Sequence, residues 1–148
     1  MLKAFFRILS GSGLSKGGEF SVKLSDVPRV LEATALARKD GTFSVILIES
    51  YSLGTDGTYP NTQFSIENGQ LGFDWVLNSE GNINAQSDFE SLAKQWGYEP
   101  EMHEENGVKY LRVIGGDLAG LCREVLTTMF GVNETSRLRL ITEGFTWH

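Results

Sequence analysis

Alternating hydrophobic and polar residues predict several β-strands in this chain. Residues 3–9 and 20–24 read as two strands joined into a hairpin by a loop rich in glycine and serine. Residues 42–51 form a further strand, whose uninterrupted apolar run 45–48 indicates burial on both faces and a central position in the sheet. A last strand is predicted at residues 137–141.

The dipeptide Asn68-Gly69 predicts a β-hairpin, because both residues of a type I′ turn need positive φ angles. A two-residue turn sets Glu67 opposite Gln70, and the alternation then puts five apolar side chains on one face: Phe64, Ile66, Leu71, Phe73 and Trp75. Glu67 and Asp74 fall on polar faces of this hairpin, where charge is expected.

Asn106-Gly107 predicts a second hairpin of the same type. Its register sets Glu105 opposite Val108, Glu104 opposite Lys109 and Glu101 opposite Arg112. The last two are complementary charge pairs, which support this register.

Apolar side chains recur at helical spacing in three segments. The first helix begins after Ser25 or Asp26 and stops at Asp40-Gly41. The second begins with a capping box at residues 87–90 and stops at Gly97. The third is capped by Asp117, carries the stripe Leu118, Leu121, Cys122, Val125, Leu126 and Met129, and ends at Gly131.

The order of these elements predicts an α+β fold in one globular domain, residues 1–148. The expected architecture is a single antiparallel or mixed β-sheet of about seven or eight strands, with three helices packed on it.

Composition and charge favour an acidic cytoplasmic protein. The net charge of −6 argues against a nucleic acid partner, because phosphate binding depends on lysine and arginine. One cysteine among 148 residues excludes an internal disulfide and suggests a reducing compartment. The first ten residues lack the features of a signal peptide, and no apolar run approaches the roughly 20 residues that span a membrane.

No set of residues resembles a catalytic or metal site. The two histidines lie far apart in the sequence, and Cys122 falls in an apolar helical stripe where burial is expected. Asp56 belongs to a turn sequence, and no phosphate-binding loop is present. We therefore predict a protein that is not an enzyme and that uses no cofactor or metal.

Four glutamates near the second hairpin form the one local concentration of like charge: Glu99, Glu101, Glu104 and Glu105. They are either solvated residues of an exposed hairpin or a docking surface for a basic protein. Three residues of the long loop after the central strand are secondary candidates for partner binding: Tyr51, Asp56 and Tyr59.

In size, acidity and α+β plan, and in residues 72–77 and the third helix with Gly131-Val132 after it, the chain resembles bacterial toxin-immunity proteins. These proteins act against polymorphic or contact-dependent growth inhibition toxins. The resemblance implies tight inhibition of a basic protein toxin, often a nuclease, whose active cleft is covered by acidic residues.

Two other functions compete with this interpretation. The first is a small-molecule or peptide-binding module that uses the region of Tyr51, Asp56 and Tyr59. The second is an enzyme whose active site follows no familiar motif.

Overall fold

The computed structural model describes residues 17–148, which form one seven-stranded antiparallel sheet and four α-helices. This confirms the predicted α+β class. The strands are β1 (Gly17–Val22), β2 (Phe43–Ile48), β3 (Asn61–Glu67), β4 (Gln70–Val76), β5 (Glu101–Glu105), β6 (Val108–Ile114) and β7 (Leu138–Glu143).

The helices are α1 (Val27–Leu36), α2 (Glu80–Asn84), α3 (Gln86–Gln95) and α4 (Leu118–Glu124). A 3-10 turn, Leu24–Asp26, precedes α1, and a π-helical turn, Val125–Met129, continues α4. Among residues 17–148, no helix has the length and apolar character needed to cross a membrane.

The strands lie side by side in the order β1, β7, β2, β3, β4, β6, β5. The strand β2 is third in this order, and Val45, Ile46 and Ile48 are fully buried on it. The central, two-sided burial predicted from its apolar run is therefore confirmed. The partner predicted for β1, a strand at residues 3–9, lies outside the described residues, and β1 pairs with β7.

One face of the sheet packs against the helices around a cluster of aromatic rings. The rings of Phe64 and Phe73 are 5.0 Å apart, and Phe89 of α3 lies 5.4 Å from Phe73 and stacks on Trp75 at 4.9 Å. The indole N–H of Trp75 donates to the carbonyl of Asn82, 3.0 Å away. This helix-covered face is the core that the first hairpin predicts.

The alternate residues of the same strands form the second face of the sheet. No residue of a described helix belongs to the apolar clusters on this face. Its side chains are nevertheless buried, and they include both apolar and polar residues. The apolar group is Val45, Val76, Tyr110 and Ile141, and the polar group is Gln63, Ser65, Asp74 and Arg112. The polar residues that alternate with core residues along these strands are therefore buried as well.

Both Asn-Gly hairpins have the predicted registers. The φ angles are 53° and 74° at Asn68-Gly69, and 53° and 81° at Asn106-Gly107, as a type I′ turn requires. The carboxylate of Asp40 accepts hydrogen bonds from the N–H groups of Asn68 and Gly69 at 3.1 and 2.8 Å. Asp40 therefore supports the first hairpin turn, whereas α1 already ends at Leu36.

The helix boundaries confirm one predicted cap and correct another. Asp117 accepts a hydrogen bond from the N–H of Gly120 at 2.9 Å and caps α4, as predicted. The capping box at Ser87 is wrong, because α2 leads through Ala85 almost directly into α3, and Ser87 already lies inside that helix. The residue that caps here is Ser79, which accepts from the N–H of Asn82 at the start of α2.

Candidate functional site

A groove of about 470 Å³ lies at the end of the sheet where the β3–β4 turn meets the first residues of β5. Its walls come from the β3–β4 turn, the segment after α3, the start of β5 and the end of β6. The described residues that line it are Glu67, Asn68, Gln70, Gly97, Tyr98, Glu99, Glu101, His103, Arg112, Val113 and Ile114. We call this feature the acidic groove.

Three carboxylates give the acidic groove its charge. Glu99 is exposed, and the side chain of Glu101 is 78% exposed, whereas that of Glu67 is 22% exposed. The positive φ of 86° at Gly97 ends the α3 segment and leads the chain toward Glu99. Because two of the three carboxylates reach solvent, a cationic group of a partner can approach them.

Among the described residues that line the groove, one carries a guanidinium, Arg112, and this group is held within the second face. Its Nη1 donates to Asp74 Oδ1 at 2.8 Å and to the hydroxyl of Ser65 at 3.0 Å, and lies 3.6 Å from a carboxylate oxygen of Glu67. Its Nη2 donates to the carbonyl of Gln70 at 2.9 Å. Arg112 therefore has little capacity left to attract an anion into the groove.

Asp74 has an unusual environment for a carboxylate. It is 1% exposed, and burial raises its pKa to about 6, although the Arg112 charge and the Ser65 and Arg112 hydrogen bonds act in the opposite direction. Burial also raises the pKa of Tyr110, as does the carboxylate of Glu67, to which its hydroxyl donates at 3.2 Å. These groups form a buried network beneath the groove.

Gly72 is required by this network. A Cβ at Gly72 would overlap the guanidinium of Arg112, since that group lies flat over the backbone of β4. A glycine inside a strand often marks such a close approach.

His103 lies on β5 at the edge of the groove, where an aromatic ring and a carboxylate are near it. Its ring stacks on Tyr110 at 5.2 Å, and its Nε2 is 3.4 Å from a carboxylate oxygen of Glu101. Within residues 17–148 no group of three or more His, Cys, Asp and Glu side chains is arranged to hold a metal ion.

Cys122 is fully buried in the core. Its thiol is 3.8 Å from the hydroxyl of Thr62, and burial raises its pKa to about 12. A thiol in this environment stays protonated at neutral pH and is a poor nucleophile.

The four candidate glutamates do not share one surface. Glu99 and Glu101 line the acidic groove, while Glu105 lies next to the Asn106-Gly107 turn, four residues or roughly 13 Å farther along β5. Glu104, paired with Lys109, points toward the opposite side of the sheet. Alternation along the strand therefore turns Glu104 to the other face, while distance along β5 separates Glu105 from Glu99 and Glu101.

The charge pair predicted between Glu101 and Arg112 also needs correction. The two residues face each other in the register, but Arg112 turns to Asp74 and Glu67 within the sheet. Glu101 instead approaches His103.

The three loop candidates lie at the other end of the strands, away from the acidic groove. Tyr51 is 44% exposed and packs edge-on against Phe130 at 5.0 Å. Asp56 accepts from the hydroxyl and N–H of Thr58 and from the N–H of Glu80, and the Thr58 hydroxyl is the main cause of its lowered pKa. Tyr59 is partly buried.

The sequence interpretation missed the Asp74, Ser65 and Arg112 network. The hairpin registers already place Asp74 opposite Arg112 once β4 and β6 are neighbours, with Ser65 one strand away. The signal was Gly72 inside an otherwise regular strand, a sign of close contact, but it does not identify the contacting side chain.

Comparisons of the chain with protein-family models, curated proteins and solved structures gave no match.

Proposed function

We propose that this protein is a binding protein whose acidic groove receives basic side chains of a partner protein. The observation that carries the proposal is the placement of Glu67, Glu99 and Glu101 around one groove, above an Arg112 already neutralised by Asp74. Complementary charge of this kind steers a basic partner toward its site and accelerates association.

The chemistry of the described residues supports binding rather than turnover. His103 is stacked on Tyr110 and lies near Glu101, with no nucleophile among its contacts in residues 17–148, and Cys122 is buried as a neutral thiol. A catalytic site normally joins a nucleophile, a base and an orienting group within hydrogen-bond distance. We propose that the protein has no activity of its own.

The more specific form of the proposal is an immunity protein. In this form the partner is a basic bacterial toxin, of the nuclease type, and the protein neutralises it in the cytoplasm of the cell that makes it. Glu99 and Glu101 would occupy the place of the anionic substrate in the toxin's cleft. The net charge of −6 supports this form, because an acidic inhibitor and a basic nuclease attract each other over a distance.

The test is an association-rate measurement with the toxin domain encoded next to the gene, using two matched variants. The groove variant is Glu99→Gln/Glu101→Gln. The control is Glu32→Gln/Asp88→Asn, which removes the same charge from exposed helical positions. At low salt we expect association to slow about 3- to 10-fold in the groove variant and less than about 2-fold in the control.

The two variants should converge at about 0.5 M salt, because screening removes the long-range attraction. Equal rates at low salt would contradict the assignment of the groove. A third variant, Glu104→Gln, separates the groove from the rest of β5 and should behave as the control does, because Glu104 faces the opposite side of the sheet.

A further inference from the structure

The two Asn-Gly pairs occupy the same kind of turn but differ in one neighbouring side chain. The φ angle is 53° at both Asn68 and Asn106, and it is 74° and 81° at the glycines that follow them. All four residues are exposed to solvent. The chain therefore presents the same dipeptide twice, in the same type I′ backbone conformation.

An exposed Asn-Gly pair can lose the asparagine amide by an intramolecular reaction. The backbone nitrogen of the glycine forms a bond to Cγ of the asparagine, and the bond between Cγ and Nδ2 breaks. The proton of the backbone N–H ends on the leaving nitrogen, which departs as ammonia. Water then opens the five-membered imide at either of its carbonyl groups and gives aspartate or isoaspartate. Glycine favours the attack because it has no Cβ to hinder its nitrogen.

The first pair has a carboxylate on the nitrogen that must react. Asp40 Oδ1 accepts a hydrogen bond from the N–H of Gly69 at 2.8 Å, and its Oδ2 accepts one from the N–H of Asn68 at 3.1 Å. The attack would break the bond to Gly69 and develop negative charge on a nitrogen that faces a carboxylate. Loss of a hydrogen bond to a charged group slows such a step by roughly 10-fold or more.

The second pair has no such contact. Within residues 17–148, no side chain accepts a hydrogen bond from the N–H of Asn106 or Gly107. Both residues are exposed, so water and hydroxide can reach the N–H of Gly107 and remove its proton. The barrier that Asp40 adds at Gly69 is therefore missing at Gly107.

We propose that Asn106 is a site of spontaneous deamidation and that Asp40 protects Asn68 from the same reaction. Asn68 lines the acidic groove, so the protection keeps a neutral amide there. At Asn106, an isoaspartate would add a methylene group to the backbone of a two-residue turn, which disturbs the pairing of Glu105 with Val108. The inference does not depend on the partner proposed for the groove.

The test is peptide mapping by mass spectrometry after incubation of the folded protein at mildly alkaline pH. Cleavage after glutamate releases the two pairs on separate peptides, because Glu67 precedes Asn68 and Glu105 precedes Asn106. The chain unfolded in guanidinium chloride is the reference, since neither pair then has a folded neighbour. We expect similar rates in the unfolded chain and, in the folded protein, conversion of Asn106 at least about 10-fold faster than that of Asn68.

The variant that isolates the contact is Asp40→Ala, with Asp88→Ala at an exposed helical position as its matched control. Asp40→Ala should speed the conversion of Asn68 by at least about 10-fold and leave that of Asn106 unchanged. Asp88→Ala should change neither rate. If Asp40→Ala unfolds during the incubation, the ratio of the two rates in the wild-type protein decides the proposal alone.

Equal conversion of Asn68 and Asn106 in the folded wild-type protein would overturn the proposal. Faster conversion of Asn68 would also overturn it, and would show that Asp40 takes the proton of Gly69 as a base. If Asn106 stayed intact in the folded protein while the unfolded chain was converted, Asn106 would not be a modification site.

Discussion

The two faces of the sheet bury different kinds of side chain. The helix-covered face is filled by aromatic rings such as Phe64, Phe73 and Trp75, in contact with one another and with Phe89. The second face buries Asp74 and Arg112 next to apolar residues such as Val76. The first arrangement gains stability from transfer of apolar surface out of water, while the second must offset the desolvation of two charges.

This difference matters for the acidic groove, which opens above the charged network. A buried ion pair stabilises a fold weakly, but it fixes geometry, because each partner holds the other in place. Here the pair keeps the guanidinium of Arg112 turned into the sheet. The carboxylates at the rim of the groove thereby keep their negative potential.

The largest expected effect comes from the helix-covered face. Phe73→Ala should lower the free energy of unfolding by about 4 kcal/mol, because it removes a fully buried ring and leaves a cavity between Phe64 and Phe89. Urea denaturation would measure this loss. Leu53→Ala, at a residue 54% exposed, is the control and should cost less than about 1 kcal/mol. A similar small loss for Phe73→Ala would show that this face is not the core.

A smaller, pH-dependent effect is expected on the second face. Arg112→Met should cost roughly 3 kcal/mol at pH 7.5, since it leaves Asp74 buried without its cation. The pKa of Asp74 is already raised to about 6, so its folded form takes up a proton more readily than the unfolded chain. Proton uptake by Asp74 therefore favours the folded state. This stabilisation is complete below the pKa of Asp74 in the unfolded chain and is lost as the pH rises through its pKa in the folded protein. The cost of Arg112→Met should therefore decrease from pH 7.5 to pH 5.

The control for this prediction is the double variant Asp74→Leu/Arg112→Met. Removing both charges avoids an unpaired group, so the double variant should be more stable at pH 7.5 than Arg112→Met alone. Denaturation curves at both pH values provide the measurement. A pH-independent cost of Arg112→Met would mean that Asp74 does not titrate in this range.

The same contrast explains how much of the structure the sequence predicts. Local signals determine the Asn68-Gly69 and Asn106-Gly107 turns, and the alternation correctly assigns Phe64, Phe73 and Trp75 to one face. The sheet order, which brings β4 beside β6, depends on contacts between distant segments. The pairing of Asp74 with Arg112 follows from that order, whereas alternation alone indicates only that Asp74 lies opposite the aromatic face.

The candidate site was predicted in part for the same reason. Local charge predicts Glu99 and Glu101 as partner-binding residues, and both line the acidic groove. Glu67 reaches the same groove from the other hairpin, and no local signal joins it to them, because the two hairpins meet through the pairing of β4 with β6.

The smallest expected effect concerns the helices that cover the helix-covered face, and it tests whether their predicted N-cap residues stabilise them. Asp117 and Ser87 both read as helix caps in the sequence, but Asp117 accepts a hydrogen bond from Gly120 N–H, whereas Ser87 lies inside α3. Asp117→Ala should therefore cost about 1 kcal/mol, the usual value of a lost N-cap, and Ser87→Ala should be close to neutral because alanine favours helix interiors. Thermal denaturation of the two variants measures the difference. An equal loss in both would mean that Ser87 caps its helix after all, and that α2 and α3 separate at Ala85.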